Sequence, residues 1–228
     1  MEESLIFEEQ DIPPMQKKTA TVIIGRFQPP HAGHYKVIQH AWKFTKEKDL
    51  DALILVIVDG VNTSKDKKTN PLTSDERIRY IKNSGKANWV KDILVASNAF
   101  DALVKVREAG YEPIAIAAGD DRSDKYLVML DKYFLDNDGK PIKHFKVPGL
   151  ERNKSSTQND LKKSSIQKAI EKIQSNGELD VEEASGSLAR AAVEHGFFDE
   201  FVKIVGLEKN LPAAKQMFNK IKKSLNNG

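Results

Sequence analysis

The chain has 228 residues, 39% hydrophobic and 30% charged, with 36 Lys and Arg against 33 Asp and Glu. That size and composition suit one large soluble globular domain with additions, and a net charge of +3 is too even to argue for nucleic acid as a partner. The lack of cysteine excludes disulfides, thiolate metal sites and cysteine nucleophiles, and no apolar run approaches the roughly 20 residues of a membrane span.

Residues 1–18 mix acidic residues with Pro13-Pro14 and Lys17-Lys18 and read as an N-terminal arm. The opening Met1-Glu2-Glu3-Ser4 lacks the basic and apolar regions of a secretory signal, so a cytoplasmic protein is the expectation. A first strand is predicted over about 20–24, followed by a Gly/Pro loop and a helix whose apolar stripe is Val37, Ile38, Ala41, Trp42 and Phe44. The unbroken apolar run Ala52–Val58 suits a strand covered on both faces. After a polar loop with Lys65, Lys67 and Lys68, Thr73 or Ser74 opens a helix, with Glu76 placed for a capping box. A third strand follows at 92–96, a helix at 98–109 stopped by Gly110, a fourth strand at 113–118 and a helix at 126–134. Asp136 to Gly139 is a turn, and 142–147 is a fifth strand.

Strands alternating with helices predict a Rossmann-like, doubly wound α/β fold of about five parallel strands, closed by C-terminal helices. Ligand then belongs beyond the carboxyl ends of the strands, where strand order reverses. The segment 149–182 breaks the alternation, is rich in Lys, Ser, Asn and Gln, and reads as a flexible insertion with a short amphipathic helix. The last helix, 211–225, carries Leu211, Ala214, Met217, Phe218, Ile221 and Leu225 on one side as a packing or dimer face.

Chemistry gathers at Gly25-Arg26-Phe27-Gln28-Pro29-Pro30-His31-Ala32-Gly33-His34. A loop between strand and helix N-terminus can hold phosphate, because the first helical N–H groups lack internal partners and the dipole adds positive charge. Gly33, between two imidazoles, leaves room for close approach to the backbone. This string resembles the extended HxGH signature of the nucleotidyltransferase superfamily, and its GRFQP form is most similar to the nicotinamide-nucleotide adenylyltransferase branch and its phage-encoded relatives. Asn70-Pro71-Leu72-Thr73-Ser74-Asp75-Glu76-Arg77 resembles a second block of that branch, and Ser185-Gly186-Ser187-Leu188-Ala189-Arg190 resembles the S-x-[ST]-x-x-R signature. The resemblance covers about residues 19–206, leaving 207–228 as a C-terminal helix.

The resemblance implies transfer of AMP from ATP to a phosphate-bearing acceptor, foremost nicotinamide mononucleotide, giving NAD and pyrophosphate. It implies His31, His34 and Arg190 as catalytic residues. Gly25, Arg26, Phe27, Gln28, Gly33, Gly119, Asp120, Ser185 and Ser187 would line the nucleotide and acceptor. Mg²⁺ would bridge phosphates without a protein ligand triad. Alternatives are a cytidylyltransferase or pantetheine-phosphate adenylyltransferase with the same machinery, or a non-catalytic nucleotide-binding phage protein. Gly119-Asp120 also reads as a plain turn with a helix cap, and Asp59 as either a near-metal carboxylate or a turn residue. Trp89 reads as a half-buried core side chain. Small-molecule substrates are the expected partners, with no nucleic acid and no membrane, and a homo-oligomer is left open.

Overall fold

The computed structural model describes residues 17–60, 65–118, 120–136, 138–148, 167–168, 170–171 and 184–226. The N-terminal arm through residue 16, Gly119 and most of the insertion lie outside the described residues. Strands β1 (Lys18–Gly25), β2 (Ala52–Val58), β3 (Asp92–Ala96), β4 (Tyr111–Ala117) and β5 (Phe145–Lys146) form a parallel sheet in the order β3-β2-β1-β4-β5. The chain winds outward from β1 to β3, then crosses back to β4. The order therefore reverses beside β1, and the β1 loop leaves the sheet at that switch point.

Helices α1 (Ala32–Glu47) and α2 (Ser74–Asn83) cover one face, and α3 (Ala99–Glu108) and α4 (Asp120–Tyr133) the other. Alternation along the strands explains the split. Val22, Ile24, Ile54 and Val56 pack toward α3 and α4, while Ile23, Leu53, Leu55 and Ile57 pack toward α1 and α2. The register of β1 against β4 slips where Ala20 faces Pro113 and Thr21 faces Ala115. Proline has no N–H to give to a ladder, which is why the irregularity falls there.

A third apolar cluster joins α5 (Gly186–Glu194), α6 (Phe198–Val205) and α7 (Leu211–Asn226) to Ala32, Leu72 and Tyr80. Met217, Phe218 and Ile221 are buried in it, so α7 is a packing helix. Leu211 departs from the expected stripe: it is 54% exposed, at a helix start where the Asn210 side chain accepts from Ala213 N–H at 3.2 Å.

Three expectations need correction. The fifth strand is only Phe145–Lys146, although Val147 N–H still donates to the Ile116 carbonyl at 2.9 Å. Helix α4 starts at Asp120 rather than Tyr126, because its first residues are polar and apolar spacing shows only later. Buried Ser123 closes that turn, its Oγ donating to the Ala118 carbonyl at 2.9 Å. Trp89 is no core residue: it is 42% exposed and lies parallel to Trp42 at 6.4 Å. It precedes β3, so it belongs to the amino edge of the sheet, opposite the carboxyl rim.

Candidate functional site

His31 caps α1 with extended backbone and is 4% exposed, while His34 sits in the first turn. The two imidazole centroids are 3.7 Å apart, tilted by 39°, and the Phe27 ring centroid lies 4.4 Å from that of His34. Phe27 is buried and holds a left-handed backbone, φ 53°. A non-glycine residue there carries strain of about 1–3 kcal/mol, which the surrounding packing must offset. Gly25 permits the arrangement, since a Cβ at 25 would stand 2.8 Å from the Phe27 ring.

The second signature comes to the same place. Ser185 caps α5, its Oγ accepting from Leu188 N–H at 3.1 Å. Arg190 Nη1 donates to the Gln28 carbonyl at 2.8 Å and Nη2 to Ser187 Oγ at 3.3 Å. Burial lowers the Arg190 pKa, and the neighbouring Arg26 charge lowers it further against the pull of Asp66. Like charges repel, and a bound anion relieves that.

Glycines make the junction tight. A Cβ on Gly186 would fall 2.5 Å from the Gln28 carbonyl oxygen. A Cβ on Gly33 would meet the Ala184 carbonyl and the His31 ring at 3.1 Å. The close approach that Gly33 allows thus admits the chain's own neighbours. Gly186 stands inside the Ser185–Arg190 signature, and a glycine in a helical first turn, where its entropy cost is unfavourable, is itself a signal.

Helices α1 and α5 carry no acidic residue in their first turns. Helix α2 differs: Asp75 and Glu76 sit in its first turn and a complete Thr73–Glu76 capping box closes it. The positive ends of α1 and α5 are therefore not neutralised by acids of their own first turns, and that of α2 is.

Gln28 is buried, and its amide is occupied by the main chain of Leu72. Nε2 donates to the Leu72 carbonyl, and Oε1 accepts from Leu72 N–H at 3.2 Å. This two-point contact fastens the first motif loop to the block that opens α2. Asp59 pairs with Arg77 at 2.6 Å and accepts from Ser74 Oγ. Lys65, Lys67 and Lys68 are exposed beside Asp66, whose carboxylate is held below its usual range by bonds from Thr69 and Lys68. Gly119 lies outside the described residues, and Asp120 opens α4 at the end of β4. Among the described residues, no group of three or more His, Asp or Glu is arranged to hold a metal ion, and no helix is long and apolar enough to cross a membrane. The donor set at the rim is imidazole and guanidinium, which suits phosphate oxygens rather than a resident cation.

The family model for cytidylyltransferase-like proteins matches residues 22–143, from β1 through the turn before β5. The chain belongs to the cytidylyltransferase-like family. A nicotinamide-nucleotide adenylyltransferase of Sulfurisphaera tokodaii is 33% identical over 40% of this chain, and the match spans 64% of that relative's length. Among solved structures, a macrolide-efflux protein from Streptococcus pneumoniae aligns with 84% of this chain and 56% of its own at 17% identity and a TM-score of 0.46. The family match ends well before α5, so Arg190 and its glycine reach the site through the fold and not through the matched stretch.

Proposed function

We propose that the chain is a nucleotidyltransferase that moves AMP from ATP to the phosphate of nicotinamide mononucleotide. An acceptor phosphate oxygen attacks the α-phosphorus in line. The bond to the oxygen bridging α and β breaks, and pyrophosphate leaves with that electron pair. Catalysis of this kind needs positioned positive donors more than a nucleophile. The carrying observation is that two imidazoles in ring contact and Arg190 gather at the N-termini of α1 and α5, beside the sheet's switch point.

In this reading His31 and His34 donate to triphosphate oxygens. Arg190 and the α5 first-turn N–H groups hold the β/γ side, with Ser185 fixing that turn. Ser187 keeps Arg190 in line. Arg26 takes the acceptor phosphate or the triphosphate tail. Phe27 backs His34, Gln28 sets the loop, and Gly25 and Gly33 provide the close packing. Asp120, which opens α4 after β4, is assigned with Gly119 to ribose. Mg²⁺ would come as part of the nucleotide substrate and would supply shielding of its phosphate charge.

A second reading, CTP as donor, is favoured by the family's name, while the relative's name favours the first. Pyrophosphate release from ATP or CTP, measured against nicotinamide mononucleotide and pantetheine phosphate, separates them. Turnover with ATP and nicotinamide mononucleotide alone is expected. Turnover only with CTP supports the second reading, and nucleotide binding without turnover for any pair supports a binding module.

A further inference from the structure

We propose that Arg77 is a positioning residue for Arg26, fixing the direction in which that guanidinium meets incoming phosphate; this rests on the transferase reading. Arg77 lies in α2 and is fully buried, at 0% exposed. A buried guanidinium is tolerated only where its charge and its donors are matched. Here several segments supply the match. Nη1 donates to the main-chain carbonyls of Arg26 at 2.7 Å and Val58 at 3.3 Å. Nε donates to the Thr73 carbonyl at 3.2 Å, and Nη2 pairs with the Asp59 carboxylate at 2.6 Å. One side chain thus ties the motif loop, the end of β2 and the start of α2 together.

The Arg26 carbonyl is the telling partner. It belongs to the peptide plane that enters Phe27, the residue with φ 53°. Anchoring that plane sets how the Arg26 side chain leaves the loop. Lysine cannot replace this fork, because an ammonium is a point charge without the planar set of donors. Packing alone asks for no guanidinium here, where Tyr80 and Ile81 already fill the buried side of α2.

The test is a double-mutant cycle of Arg77→Lys with Arg26→Ala, read in kcat and KM for pyrophosphate release and, separately, in ATP affinity by calorimetry. Arg77→Lys alone is expected to lower kcat/KM by about tenfold or more, and to add less than about threefold in the Arg26→Ala background, as coupled neighbours do. Equal losses in both backgrounds would overturn the proposal, because a purely structural role acts independently of Arg26. If Arg77→Lys does not fold, Arg77→Met combined with Asp59→Asn removes both buried charges together and enters the same cycle. A wild-type chain that binds ATP but releases no pyrophosphate contradicts the transferase reading instead, and the cycle in ATP affinity then decides the role of Arg77.

Discussion

The two edges of the sheet are built differently. At the amino edge, polar contacts face solvent: Asp51 accepts from Thr19 N–H at 2.7 Å and from its hydroxyl at 2.8 Å, and exposed Trp89 lies parallel to Trp42. At the carboxyl edge, His31, Gln28 and Arg77 are buried, and Arg190 reaches back 162 residues to the Gln28 carbonyl. Burying such groups is unfavourable unless each is matched, so a fold does not collect them at one edge for stability alone. The contrast separates an edge that only closes the sheet from one that arranges charge.

The largest effect is expected at the histidines. His34→Ala should cut turnover by about 10²-fold, as loss of one positioned donor does, with the thermal transition little changed. Steady-state pyrophosphate release alongside a melting curve checks both halves. Gly186→Ala comes next. Its methyl would need the space 2.5 Å from the Gln28 oxygen, so the junction must shift, costing about 1–3 kcal/mol in urea unfolding and weakening ATP binding. Gln28→Ala leaves the buried Leu72 main chain without its side-chain partner, for about 1–3 kcal/mol of stability. At the opposite edge, Asp51→Ala should cost about 1 kcal/mol or less and leave turnover unchanged.

The smallest effect is a pH signature on α2. Burial pushes the Glu76 pKa up, but bonds from Thr73 and the Lys220 ammonium at 3.1 Å outweigh it and hold the pKa below 4.5. Its contribution is therefore present above pH 4.5 and is lost as pH falls through the lower folded value. Glu76→Gln keeps a capping side chain, so the stability gap between it and the wild type should narrow on acidification. A gap that stays constant from pH 7 to about 3 would assign Glu76 to capping alone.

Much of this contrast was legible in the residues. The run Ala52–Val58 announced a strand covered on both faces, and the Thr73–Glu76 box formed as its spacing implied. The start of α4 was hidden because its first residues are polar, and Trp89 misled because residue type says nothing about which edge a loop occupies. At the candidate site the imidazoles and Arg190 stood out by their motifs. Gln28, Leu72, Arg77 and Gly186 lie in those motifs too, but the contacts they make do not show there, because each depends on two distant segments touching, and local periodicity carries no trace of that.

The central claim is that phosphate binds where the β1 loop meets α5. Amide hydrogen exchange with and without Mg-ATP tests it most directly. Protection at 25–35 and 184–190, and absent in His34→Ala, is the expected result. Protection at the amino edge around 86–91, or none at either motif while ATP binds, would contradict it.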